Sequence, residues 1–124
     1  MLNYVAVALG GAAGASARFF LSGLAHDRFG ASFPYGTLMV NIVGCFLIGL
    51  FMEMTETRHV ISPQARLFFA VGVLGGFTTF STYSFETLAL ARDGMMVRAA
   101  LNAFGSVGLG LGGAWLGMIA GRML

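Results

Sequence analysis

The sequence predicts an all-α integral membrane protein of four transmembrane helices, the third broken near its middle, and three observations carry that reading. Hydrophobic residues make up 57% of the chain and charged residues only 10%, against about 25% charged in an ordinary soluble domain. Four apolar stretches, near 4–24, 36–54, 66–91 and 97–121, each supply the roughly 20 residues that cross about 30 Å of hydrocarbon as a helix. Two glycines and a run of hydroxyl residues interrupt the third stretch. The 124 residues are read as one domain, 1–124, which excludes a multi-domain enzyme. A mean hydropathy of +0.83 agrees.

The first stretch contains Ala15-Ser16-Ala17, which looks like a signal-peptide cleavage site. No Arg or Lys precedes it, so it is read as a retained span. The second carries Thr37 and Asn41 one helical turn apart, with Gly44 continuing the same face. Cys45 sits in this apolar run and is read as packing. The fourth places Asn102 and Ser106 one turn apart. Period-two alternation is absent throughout, and a backbone in lipid must satisfy its own hydrogen bonds, so the spans are helices rather than barrel strands.

Glycine, at 19 of 124 residues, is spread through these apolar segments rather than collected in linkers. Gly10 and Gly14, Gly108 and Gly112, and Gly113, Gly117 and Gly121 form small-residue faces on which helix backbones can approach closely. The motif does not separate contacts within a chain from contacts between chains. Gly108, Gly110 and Gly113 also spell GxGxxG, but no strand precedes them and no acidic residue follows, so a dinucleotide site is excluded.

All seven basic residues are arginine. An even number of spans puts the N-terminus, the 55–65 loop and the C-terminus on one side, with Arg58, Arg66 and Arg122. The other side has Arg28, Arg92 and Arg98, and Arg18 lies deeper in the first span. Since Lys and Arg in short flanking loops set orientation, a balanced count predicts insertion both ways round. The net charge of +2 is no sign of nucleic acid.

The chemistry is expected at Gly75-Gly76-Phe77-Thr78-Thr79-Phe80-Ser81-Thr82-Tyr83-Ser84. Glycine costs about 1 kcal/mol in a helix relative to alanine, and Thr and Ser are weak helix formers, which predicts a break. Non-helical backbone at membrane depth survives only inside protein or along a polar cavity, where its carbonyls are cation ligands. The competing reading is an unbroken helix whose hydroxyls bond back to their own carbonyls. Asn41 is read as part of a pathway and Asn102 as helix-to-helix glue. Arg18, Glu53 and Glu86 are read as structural ionisable groups that pair or reach the interface, Arg18 with a carboxylate or a helix C-terminus. HExxH, GxSxG, a Cys/His cluster and a phosphate loop are all missing, so no enzyme is indicated.

Three blocks together resemble the CrcB, or Fluc, family of fluoride channels over essentially the whole chain. They are Gly10-Gly11-Ala12-Ala13-Gly14-Ala15-Ser16-Ala17-Arg18, Pro34-Tyr35-Gly36-Thr37-Leu38-Met39-Val40-Asn41-Ile42-Val43-Gly44, and Gly75-Gly76-Phe77-Thr78-Thr79-Phe80-Ser81-Thr82. The resemblance implies an antiparallel, dual-topology homodimer in a microbial plasma membrane, an inner membrane if the cell is Gram-negative. It also implies passive export of cytoplasmic fluoride through two pores, with protection from fluoride toxicity. A structural sodium at the dimer centre would lie on the backbone carbonyls of Gly75 and Thr78. The implied anion path runs by Asn41 and by ring edges at Phe80 and Tyr83. Tyr83 departs from the usual phenylalanine, and its hydroxyl either meets fluoride or takes a partner elsewhere. Hydroxyls of Thr37, Ser81, Thr82 and Ser106 complete the path, standing in for water around the ion. The alternative is a dual-topology, proton-coupled exporter of small organic cations, which needs a carboxylate in mid-span.

Overall fold

A computed structural model describes every residue except Val60. Among the described residues the regular structure is entirely helical, and four segments are long and apolar enough to cross a membrane. Helix α1 spans Leu2–Phe29, and α2 spans Tyr35–Arg58. The third segment, Pro63–Arg92, is two half-helices. The first, α3, starts at Pro63–Arg66, widens into a π-helical stretch over Leu67–Leu74 and closes with Gly75–Phe77. The second, α4, is Phe80–Arg92, and the last helix, α5, is Met96–Met123. The 28 residues of α1 and of α5 give each a length of about 42 Å at about 1.5 Å per residue, beyond the hydrocarbon thickness of about 30 Å. Each is long enough to cross with residues to spare at its ends.

The termini follow local chemistry. Gly30, at φ 80°, ends α1 with its N–H on the His26 carbonyl at 2.8 Å. Ser62 caps α3 by accepting from the Ala65 N–H at 3.1 Å, and Pro63 occupies the first helical position, where a missing N–H costs nothing. Asp93 and Gly94, the latter at φ 81°, turn the chain into α5.

Two helix pairs form the fold, α1 on α3 and α2 on α5, joined by contacts of α1 with α2 and of α4 with α5. Each pair is built on glycine. A Cβ at Gly14 would stand 2.9 Å from the Phe77 nitrogen, and one at Gly72 would stand 2.9 Å from the Gly10 Cα. Across the other pair, a Cβ at Gly117 would lie 2.9 Å from the Leu50 nitrogen. Lipid tails are as apolar as Leu, so close backbone approach and dispersion hold such pairs together. Gly10 with Gly14, and Gly113 with Gly117 and Gly121, take part in these contacts. Gly108 and Gly112 meet nothing within 4 Å and do no packing inside the fold.

Glu53, buried on α2, accepts from Arg122 Nε at 2.9 Å, which pins the end of α5. Only a few apolar side chains are buried, among them Val40, Leu74 and Phe77, while large ones such as Phe80, Phe104 and Trp115 stand exposed. That distribution suits a chain whose surroundings are apolar. Gly117→Val should break the α2–α5 pair, because the added methyls meet backbone that cannot retreat. A destabilisation above about 2 kcal/mol in detergent denaturation is the expected result.

Candidate functional site

The chain leaves the helix at Thr78 (φ −86°, ψ 156°) and Thr79 (φ −149°, ψ 122°), both extended. A break exposes the last carbonyls of one half-helix and the first N–H groups of the next, and lipid satisfies neither. Side chains do so here. Arg18 Nε donates to the Gly76 carbonyl at 3.1 Å. Of the two anchors expected for Arg18, the helix C-terminus is therefore the one it takes. The Thr78 hydroxyl bonds back to the Leu74 carbonyl at 3.0 Å. Thr79 Oγ1 caps α4, accepting from the Thr82 N–H at 3.3 Å. Asn41 pairs with the Thr79 peptide: its Oδ1 accepts from the Thr79 N–H at 2.9 Å and its Nδ2 donates to the Thr79 carbonyl at 3.1 Å.

This reciprocal pair fixes which way the Asn41 amide faces and leaves one of its two N–H bonds over. No hydrogen bond among the described residues reaches the carbonyls of Gly75 or Thr78. The negative end of α3 and the positive end of α4 thus meet at one place, one favouring cations and the other anions.

Beside the break runs a groove of about 420 Å³, lined mainly by apolar surface and by Asn41, Gly75, Thr78, Phe80, Tyr83 and Ser106. The Phe80 and Tyr83 ring centroids are 5.5 Å apart. Phe80 is 79% exposed on the surface of the fold. The Tyr83 hydroxyl takes a partner elsewhere, donating to the Ala103 carbonyl on α5 at 2.7 Å. Its proton is committed to joining two helices, while the residue still lines the groove.

The remaining pathway candidates lie apart. The Thr37 hydroxyl donates to the Glu86 carboxylate, and both line a second cavity of about 300 Å³ together with His26 and Asp93, near the 25–35 and 92–96 loops. Glu86, expected to pair or to reach the interface, has this hydroxyl as its partner. Ser81 and Thr82 sit on the first turn of α4, bonded to Thr79 Oγ1 at 3.3 Å and 3.2 Å, and line neither cavity. Asn102 joins helices as glue does, its Nδ2 donating to Thr87 Oγ1 at 2.8 Å. Sequence reasoning assigned no role to Thr79, which the break depends on. Threonine is a preferred N-cap residue, and its place directly before Phe80 in the expected break was a signal available in the sequence.

Four spans, one of them unwound near its middle beside a groove lined by Asn41 and two aromatic rings, are the architecture of a small multi-pass membrane protein. The chain belongs to the family described as CrcB-like protein, Camphor Resistance (CrcB), which it matches over residues 5–118. A protein of Roseiflexus sp. (strain RS-1) named fluoride-specific ion channel FluC is 48% identical over 123 residues, covering 99% of each chain. Proteins of the same name from Thermus thermophilus and Opitutus terrae are 52% and 51% identical. They align with 100% and 97% of this chain, and with 98% and 92% of their own lengths. The family is one of ion channels and not of enzymes, and the chain is a multi-pass protein of the bacterial plasma membrane.

Asn41→Leu leaves the Thr79 N–H and carbonyl without partners and, at about 1–3 kcal/mol for each, should cost about 2–6 kcal/mol, read by denaturation in detergent. Tyr83→Phe removes one interhelical hydrogen bond and should cost about 0.6 kcal/mol in the same measurement.

Proposed function

We propose that the protein is a fluoride-selective passive channel that exports cytoplasmic fluoride down its electrochemical gradient and so protects the cell. The observation that carries this reading is the groove itself. It holds an Asn41 amide aimed by Thr79, together with the edges of Phe80 and Tyr83, in a chain about half identical to relatives named for fluoride conduction.

Fluoride is small and strongly hydrated, so a path must replace its water without binding it too tightly to leave. The free Asn41 N–H supplies one donor. Ring edges carry partial positive charge and supply weaker ones. Both come without a full positive charge, which would trap the ion. The first N–H groups of α4 point into the break and add the favourable end of a helix dipole.

The working unit in this reading is an antiparallel, dual-topology homodimer with two symmetry-related pores, since a two-fold axis duplicates every site. The exposed groove is then closed by the second copy. A structural sodium at the dimer centre would be held by the carbonyls of Gly75 and Thr78, which are unengaged by other described residues and are hard oxygen donors of the kind that suits it. Its positive charge would lower the cost of anions nearby.

The test is fluoride efflux from liposomes holding purified protein, with chloride in parallel and a fluoride electrode as detector. Fast voltage-driven fluoride release with little chloride is expected, and no release from folded protein overturns the reading. Phe80→Ile should slow fluoride efflux at least about tenfold, an added barrier of about 1.4 kcal/mol. Asn41→Asp puts a negative charge on the path. At about 4 kcal/mol for charges about 4 Å apart near a protein surface, it should cut flux at least about a hundredfold.

A further inference from the structure

Ser106 lines the groove, yet its proton does not face it. Ser106 Oγ donates to Asn102 Oδ1 at 3.2 Å. The direction of that bond is dictated by a chain of partners behind it. Thr87 has one hydroxyl proton and gives it to the Tyr83 carbonyl, one turn back on α4, at 2.8 Å. Thr87 Oγ1 therefore has only lone pairs to offer Asn102, which must present its NH₂, at 2.8 Å. With the amide so oriented, its oxygen faces Ser106 and draws the serine proton away from the groove. Asn102 is only 2% exposed, so no water competes for its polar atoms.

We propose that Asn102 is a positioning residue that sets the hydrogen-bond polarity of Ser106, so that Ser106 turns only lone pairs toward the groove and withholds a donor from a passing anion. The inference rests on the channel reading above. It makes the groove a weaker anion site than its hydroxyl content suggests, with the Asn41 N–H as the donor in place. Releasing the Ser106 proton adds a second donor and deepens the anion's well.

The experiment measures the initial rate of fluoride efflux from liposomes as a function of internal fluoride, for wild type, Asn102→Leu, Ser106→Ala and the double variant. A hydrogen bond to a charged group is worth about 1.5–3 kcal/mol, so Asn102→Leu should lower the half-saturating fluoride concentration about tenfold. In the Ser106→Ala background the same substitution should produce no such fall. Thr87→Val removes the anchor of the amide while keeping Asn102, and should shift the concentration in the same direction by less. It also keeps the test alive if Asn102→Leu fails to fold. A rise or no change in half-saturation for both variants, or a fall that survives Ser106→Ala, overturns the proposal. Wild-type protein that releases no fluoride overturns the channel reading itself, and that control separates the two failures.

A second readout needs no transport. The chain has three asparagines, Asn3, Asn41 and Asn102, so selective ¹⁵N labelling gives three side-chain amide signals. Ser106→Ala removes the donor to Asn102 Oδ1 and should shift the Asn102 signal while those of Asn3 and Asn41 stay in place. An Asn102 signal that Ser106→Ala leaves unmoved overturns the coupling.

Discussion

The break in the third span rests on the two hydrogen bonds between the Asn41 side chain and the peptide of Thr79. Unwound backbone in a membrane carries a penalty of several kcal/mol for each group left bare. A side-chain amide donates and accepts from adjacent atoms in one plane, as a peptide does, so it substitutes for a neighbouring strand. Serine or leucine at this place would leave Thr79 partly or wholly unpaired. The same contact that permits the break also aims the remaining Asn41 N–H. Structure and proposed permeation are thus joined in a single side chain.

The second constraint is close approach. With Gly14 against α3 and Gly117 against α2, the two helix pairs sit at backbone distance. That fixes the depth of Gly76, whose carbonyl then lies within reach of Arg18 on α1. The guanidinium sits at the negative end of α3, the favourable end for a cation. Glycine packing thereby sets where the break falls relative to α1, and the arginine secures it. Burial of apolar side chains contributes little by comparison.

Much of this was legible in the residues. Spans were readable because helix length in lipid is set by bilayer thickness, and the break because Gly75, Gly76 and the hydroxyl run weaken a helix locally. The helix C-terminus as an anchor for Arg18 and the tie made by Asn102 were also within reach, since a polar group at membrane depth has few partners available. Other features left no mark. The partner of Tyr83 is a backbone carbonyl, and every residue has one, so nothing in Ala103 announces the contact. Thr37 and Asn41 share a helix face but serve different cavities, because α4 brings Glu86 to one and the break lies beside the other. The π-helical stretch of α3 has an apolar composition indistinguishable from that of an α-helix.

That stretch, Leu67–Leu74, bears on how the protein tolerates change in length. A π turn closes its bonds five residues along rather than four, so it takes up extra residues in the same rise. Losing one residue there would let the backbone tighten to an α-helix while Gly76 and the break keep their depth. Elsewhere in the spans, losing one residue rotates every later side chain by about a third of a turn. Between Pro63 and the break, indels of a single residue have somewhere to go, and divergence in length within the membrane region would concentrate there.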